Sequence, residues 1–544
     1  MYKKGVVINA DGRGYYEYLP ALFIYDDIHF GYLDTLETDF YDQEIMKRYY
    51  QNPLFEKPIN KYFAGTALLQ SPFFAAAHLY TTKLQTEEKA DGFSKPYQRA
   101  ILFSGLFYLL LGLIFTRKLL ETYQLNSWLI FFAQLALLYA TSLFTYTMYD
   151  PAYSHIYSFA LITGFLLVVR RFFICEKASY VLWAFVFLGL ICIVRPVNVL
   201  VILFIPFLAN SLNDLGLKLK SLFVNYWRYI LLGIVLFVAI LGVQFYISYL
   251  QTGNPLNYNY GEEGFFFLSP RFVDFLFSYH KGFFLWSPWW FLMFLVGTFF
   301  WIKSKKYYHL ISFYFGFILV TYVFSSWSSW SYGGSFGSRP MIDFYGAFIL
   351  IIIPIYEVGK KLVLGLIVIL SLPLAVISLI QSVQYQKAII HWDGMNKDMY
   401  WEVFLNTNEK YGWYFWREQL PVGKKQHELL LFENLNLKPS DSFEIQGIDI
   451  NGIDSLSSMA QVVLILDREA DNEYMEMRML DANNEQVWYD LQRFFYRNEG
   501  NKVVYSFDLP AEKFQFKKMN ITIRNVREPL KIKKATFSTH YSLY

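Results

Sequence analysis

Residues 228–248 read RYILLGIVLFVAILGVQFYIS, with no charged side chain between Arg228 and Ser248. Coiled as an α-helix at about 1.5 Å per residue, such a stretch spans the roughly 30 Å hydrocarbon core of a bilayer. Comparable stretches recur at 98–117, 128–147, 153–171, 178–194, 196–210, 283–302, 308–325, 340–358 and 361–381, which makes ten. Two of them, 178–194 and 196–210, are short and meet at Arg195-Pro196. They read as a tight helical hairpin or as a broken helix that stops short of one face. The whole chain of 544 residues agrees: 55% is apolar, 21% aromatic and only 17% charged, against about 25% charged in soluble proteins. The sequence predicts an all-α polytopic membrane domain.

Several function classes fall away. A net charge of +3 without a basic run argues against nucleic acid. Cys175 and Cys192, the two cysteines, form no disulfide framework and no metal-ligand spacing.

Orientation follows from Lys and Arg in the short loops. Arg117, Lys118, Arg170, Arg171, Lys177, Lys218, Lys220, Arg228, Lys303, Lys305, Lys306, Lys360 and Lys361 all fall in alternate loops, predicted to be cytoplasmic. The intervening loops, 148–152, the Arg195 turn, 249–282 and 326–339, are poor in both residues and are predicted to face outside. The apolar segment 62–82, with Gln70, Pro72 and His78, reads either as an interfacial helix or as a span. The first alternative makes 1–97 an external loop. The opening MYKKGVVINADGRGYY contains no span, so a further span upstream of Met1 is expected. Single cysteines at Phe40 and Ile450 should then both react with an impermeant thiol reagent from outside; labelling of position 40 only from the cytoplasm would reverse this topology.

Beyond about 385 the character changes. Residues 385–439 are polar and Trp-rich. In 440–544, Val503, Tyr505, Phe507 and Leu509 share one face of a period-two pattern, and Met519, Ile521 and Ile523 share another. Turn signals at 481–485 (DANNE), 497–501 (RNEGN) and 509–513 (LPAEK) break the runs. The pattern predicts an external all-β sandwich.

Four segments predicted to lie outside carry more polar groups than connectors need. In Asn9-Ala10-Asp11-Gly12-Arg13-Gly14-Tyr15-Tyr16, an Asp between small residues is placed to take a proton from an acceptor hydroxyl. The bland alternative is an Asp in a glycine turn beside interfacial tyrosines. In Asp150-Pro151-Ala152-Tyr153-Ser154-His155, Asp150 reads as a helix cap with Pro151 at the first helical position, which leaves His155 unexplained. A His just inside a span needs a wet cavity or a partner. In 249–282, Glu262 and Glu263 precede three phenylalanines, and Phe272, Phe275, Leu276 and Tyr279 predict a short amphipathic helix; the glutamates read as a substrate-covering loop or as a solvated acidic pair. In Tyr332-Gly333-Gly334-Ser335-Phe336-Gly337-Ser338-Arg339, glycine amides and an arginine at the mouth of a span suit a phosphate. The alternative there is a snorkelling arginine. Arg195 and Arg339 both run against the orientation bias, which favours an anionic ligand.

These motifs, with Lys61-Tyr62-Phe63-x-Gly65-x-Ala67-Leu68-Leu69-x-Ser71-Pro72 and Arg195-Pro196-x-Asn198, together resemble bacterial GT-C fold glycosyltransferases of the protein O-mannosyltransferase and lipid A aminoarabinose-transferase type. The resemblance covers about 1–400. It implies a multi-pass enzyme of the bacterial inner membrane that moves a sugar, with inversion, from a polyprenyl-phosphate carrier to an acceptor hydroxyl at the outer face. By position Asp11 corresponds to the essential acidic residue of the first external loop and would be the base. Arg339, Tyr332, Gly333, Gly334 and Gly337 would hold the donor phosphate, with Arg195, His155, Asp150 and Glu262 also in contact with substrate. The partners implied are the lipid-linked sugar, a glycan, lipid or protein acceptor, and the bilayer. Gly12 stands where the family often has a second acid, and neither a metal nor another cofactor is indicated. The alternatives from other classes are a transporter or flippase for a lipid-linked sugar, which would show repeats and deep polar residues, and a noncatalytic assembly protein.

Overall fold

The computed structural model describes residues 6–34, 36, 58–84, 88–260, 263–358, 361–408, 411, 425–449, 459–468, 474–482, 484, 486–493, 498–499, 501–508, 517–526 and 529–540. The chain divides into two compact units, 1–382 and 383–544.

The first unit is helical. Two short helices, α1 (Ala10–Tyr16) and α2 (Tyr18–Phe23), precede α3 (Gly65–Lys83) and α4 (Lys95–Glu121). Next come α5 (Ser127–Tyr139), α6 (Leu143–Met148), α7 (Ser154–Cys175) and α8 (Ala178–Val194). Two 3-10 helices, Pro196–Phe204 and Pro206–Leu208, lead to α9 (Leu212–Asn225) and α10 (Trp227–Thr252). The short α11 (Phe272–Phe277) and α12 (Phe283–Trp286) precede α13 (Pro288–Lys303) and α14 (Tyr307–Ser325). A broken helical segment from Arg339 to Val358 and the long α15 (Lys361–Gln386) complete it.

Six helices among the described residues are long and apolar enough to cross a membrane: α4, α7, α10, α14, Arg339–Glu357 and Leu362–Gln386. This is the composition of a multi-pass membrane protein. α7 lies at the centre, with 78% of its apolar window buried, while the same figure is 17% for α10 and 6% for the last helix. The outer helices therefore present their apolar sides to lipid, and α7 is packed by protein on all sides.

The remaining expected spans are shorter or interrupted. The stretch 128–147 is cut at Ala140–Ser142, where the Thr141 side chain accepts from Leu143 N at 3.2 Å and donates to Leu137 O at 2.5 Å. The stretch 283–302 is cut at Ser287, ahead of Pro288. The two breaks meet, since Ser142 Oγ and Ser287 Oγ are 3.2 Å apart and both buried. At the first break the Thr141 hydroxyl competes with the helix for backbone groups. Segment 178–194 is a helix of 17 residues, and 196–210 is 3-10 rather than α. The segment 62–82 forms α3. Its polar residues have protein partners: Gln70 donates to Ala152 O at 3.2 Å, and His78 Nδ1 is 2.7 Å from the Tyr97 hydroxyl.

The second unit opens with a short helix, Lys397–Glu402, capped by the Asn396 side chain. Its strands begin at Lys425, ahead of the alternating pattern at 440. Among the described residues they form two antiparallel sheets: β1 (Lys425–Leu437), β9 (Leu530–His540), β3 (Met459–Leu466), β7 (Lys502–Asp508) and β6 (Asn498–Glu499) in that order, and β2 (Ser440–Asp449), β8 (Lys518–Val526), β4 (Tyr474–Leu480) and β5 (Gln486–Arg493). Alternate residues point one way, so Ala460, Val462 and Leu464 on β3 join Met475, Met477 and Met479 on β4 and Met519, Ile521 and Ile523 on β8 in one buried cluster. Val503 is buried with them; the side chains of Tyr505 and Phe507, and Leu509, lie outside the described residues.

Candidate active site

The site is assembled where α1, the 149–154 turn, the end of α8 and the 332–343 segment converge. α1 reaches it through Gly12. A Cβ there would lie 2.8 Å from the Ala152 Cβ and 3.2 Å from the Ala152 carbonyl carbon, so only glycine lets the helix rest on that turn. Gly65 does the same for α3, whose backbone meets the Ile193 carbonyl just ahead of Arg195. Gly12 and Gly65 therefore act as close-packing points.

Two charge groups result. In the first, Arg339 Nη2 is 2.6 Å from Asp11 Oδ2. The guanidinium also lies over the Tyr153 ring, 5.4 Å from its centroid. Arg339 Nη1 is buried, and among the described residues no hydrogen-bond acceptor meets it. Such an orphan donor is uncommon in a folded protein.

The second group centres on Asp343, which is fully buried. Its Oδ1 is 2.7 Å from His155 Nδ1. Its Oδ2 accepts from Arg195 Nη1 and from Asn198 Nδ2, each at 2.9 Å. Asn198 donates in addition to Ser158 Oγ at 3.0 Å, which ties the group to the central helix α7. Tyr332 places its ring 6.0 Å from the Arg195 guanidinium carbon. The buried hydroxyl of Tyr15 lies within electrostatic reach of Arg195, Asp11 and Arg339, so the two groups border one region.

Asp343 was absent from the sequence-predicted set, and Asn198 entered only as part of a motif. A signal existed: an acid four residues after Arg339, within an apolar run, is costly unless paired. Arg195 was its nearest candidate by side of the membrane, but the pairing crosses 148 positions.

Other predicted residues fall out differently. Asp150 does not cap α7. Residues 150–153 form a turn of their own, with Tyr153 N donating to Asp150 O at 3.1 Å, and the helix starts at Ser154. Asp150 is instead buried beside Asn9 and Arg339, and burial pushes its carboxyl up to about 7 against the opposing pull of Asn9 and Arg339. Gly333 adopts φ +56° with open space around its α-carbon, and Gly337 adopts φ +61° against Trp286. Tyr332, at φ +59°, is also left-handed. The loop thus turns sharply, and the buried Lys281 ammonium holds it by donating to the Ser335 carbonyl. Phe336 N is already bonded to the Tyr146 hydroxyl at 3.1 Å. Glu262 lies outside the described residues; its neighbour Glu263 pairs with Lys61 at 3.1 Å. Among the described residues no three His, Cys, Asp or Glu side chains cluster in a way that would hold a metal ion.

Both arginines, read from the sequence as isolated cations, have carboxylate partners. An anion entering here must compete with Asp11 or Asp343 for a guanidinium face.

Burial also sets a pH dependence. Glu17, paired with Arg13 at 2.5 Å, is likewise pushed up to about 7 by burial. An acid whose pKa is raised on folding holds a proton in the native state that the unfolded chain has released. Stability therefore falls as pH rises from about 4 to about 7, then levels. Asp150→Asn should unfold at a higher temperature than wild type at pH 8, and the gap should close near pH 4. A gap independent of pH would show that Asp150 is not buried as an acid.

Compared with known proteins, the chain matches no family model and no curated protein.

Proposed function

We propose that this protein is a membrane glycosyltransferase of GT-C type, transferring a sugar from a polyprenyl-phosphate carrier to an acceptor hydroxyl at the outer face of the bacterial cytoplasmic membrane, with the second unit an external β-sandwich. The observation that favours this reading is the gathering of Asp11, Arg339, Tyr332, His155, Arg195 and Asp343 from four separate chain segments around apolar helices. A carboxylate and two guanidinium groups are what an inverting transfer from a lipid phosphate requires.

In the proposed reaction the donor phosphate engages the Arg339 guanidinium. Asp11 is displaced from the guanidinium and takes the proton of the acceptor hydroxyl as its oxygen attacks the anomeric carbon. The bond from that carbon to the phosphate oxygen breaks, and the lipid phosphate leaves as an anion stabilised by Arg339 and Arg195. Asp343 touches neither substrate; it holds Arg195 and His155 in place.

The test is donor binding and transfer by the purified protein in lipid nanodiscs, with a radiolabelled polyprenyl-phosphate sugar. Arg339→Ala should weaken donor binding by roughly 30-fold or more, the worth of a charged hydrogen bond or two. Arg339→Lys should recover little of it, because an ammonium lacks the planar fork that grips phosphate with two parallel bonds. Wild-type affinity in both variants would remove the phosphate assignment. Binding without release of the lipid phosphate would favour a transporter.

A further inference from the structure

On the opposite chemistry from the site stands α9, Leu212–Asn225, a helix with no buried residue. One side of it is fastened to the protein. Lys218 Nζ donates to Glu176 Oε1 at 2.7 Å and Ser221 Oγ to Glu176 Oε2 at 2.6 Å, in the turn between α7 and α8. The Tyr226 hydroxyl, just past the helix, donates to the Glu176 carbonyl. At about 100° per residue, Leu212, Leu215, Leu219, Leu222 and Phe223 fall on an adjoining stripe. Leu215 and Leu222 are half-buried on the protein side. Leu212 and Phe223 are 72% and 63% exposed, and Leu219 lies exposed between them. Asn213, Val224 and Leu217 occupy the far flank, with Val224 63% and Leu217 58% exposed. Lys220 lies between that flank and the stripe.

The connectivity says what covers the stripe. Only Tyr226 separates α9 from α10, whose apolar surface is almost wholly unburied and fits lipid. The end of α9 is therefore at the edge of the hydrocarbon layer. The preceding 3-10 segment meets α9 at 115°, so α9 turns aside and does not continue a span. Asn213, Asp214, Lys218, Lys220 and Asn225 also make it unsuited to crossing. Trp227 and Tyr229 are exposed at the head of α10, with Arg228 over the Trp227 ring, which is the composition of an interfacial anchor.

We infer that α9 is an in-plane membrane helix, seated with Leu212, Leu219 and Phe223 in the acyl boundary of the leaflet next to the start of α10. Its partner is the phospholipid surface. Lys220 and Arg228 extend to the headgroup phosphates, as long basic side chains do beside an apolar stripe. The helix straps the turn at Glu176 to the membrane. None of this depends on the transferase reading.

The test uses the full chain with Cys175 and Cys192 replaced by serine, reconstituted in phosphatidylethanolamine and phosphatidylglycerol vesicles. Single cysteines replacing Leu212, Asn213, Leu217, Leu219 and Phe223 carry nitroxide labels. Labels at 212, 219 and 223 should collide with oxygen more than with a water-soluble nickel chelate, and labels at 213 and 217 should show the reverse. Nickel contact at all five positions would overturn the inference, and so would low contact with both relaxants at the stripe, since protein would then cover it. A second measurement keeps Phe223 aromatic: p-benzoylphenylalanine at that position should yield phospholipid adducts on irradiation. An adduct to another copy of the chain, or none, would also overturn it.

Discussion

Asp11→Asn should leave the protein folded and inserted while lowering sugar transfer by roughly 10²- to 10⁴-fold, the usual cost of losing a general base. Asparagine keeps the size and one acceptor oxygen of aspartate, so it still accepts a hydrogen bond from Arg339 Nη2, which lies at 2.6 Å. What it loses is the capacity to take a proton. An Asp11 serving only as the partner of Arg339 predicts a different result. Asparagine removes only the charge of this pair, 10% and 23% exposed at its two side chains, so the loss would fall on stability rather than on rate. Transfer would then fall only slightly. The measurement is initial rate at saturating donor in vesicles where thiol labelling has placed Phe40 outside, with thermal unfolding of the same preparation as the check on folding. Near-normal transfer would move the base elsewhere, with Asp150 or Glu17 the next acids to replace.

Asp343→Asn should be the more damaging substitution for stability. Asp343 is fully buried and accepts from Arg195 and Asn198 on one oxygen, with His155 at the other. An amide retains one acceptor and turns a donor toward one of these partners. Arg195 then loses its counter-ion at a site only 14% exposed. Leaving one member of a buried pair alone costs about 3–5 kcal/mol, so the thermal midpoint should drop by several degrees or more. The double variant Asp343→Asn, Arg195→Gln removes both charges and should regain much of the lost stability. If Asp343 positions Arg195 for the leaving phosphate, the double variant stays poor in transfer, with donor KM raised. Recovery of transfer along with stability would make the pair purely structural.

The α9 strap and the site draw on different kinds of information. The helix itself was open to reading in the sequence, because Leu212, Leu215, Leu219 and Leu222 repeat at helical spacing. Its fastening through Glu176 was not, since Lys218 and Glu176 are 42 positions apart. Part of the second unit was legible for the same local reason, although β1 (Lys425–Leu437) lies in the stretch read as polar and outside the sandwich. Met519, Ile521 and Ile523 alternate with polar neighbours, and all three are fully buried.

By itself the sequence determined the membrane-type helical composition, the helices α4, α7, α8, α10 and α14 to within a few residues, and the polar segments from which the site is drawn. These follow from local physics. Backbone hydrogen bonds in a helix close within four residues, and an apolar run of sufficient length has only one way to satisfy them in lipid. The tertiary structure alone decided which charges meet. α7 is apolar nearly all round, so its composition does not say which face turns toward Arg195 or Asp343. Contacts between Ser142 and Ser287, between Gly65 and Ile193, and between Gly12 and Ala152 set the helix breaks, levels and rotations. Those rotations bring Asp343 to Arg195 and Asp11 to Arg339, because an ion pair depends on separations of about 3 Å that only the packing of distant segments can fix.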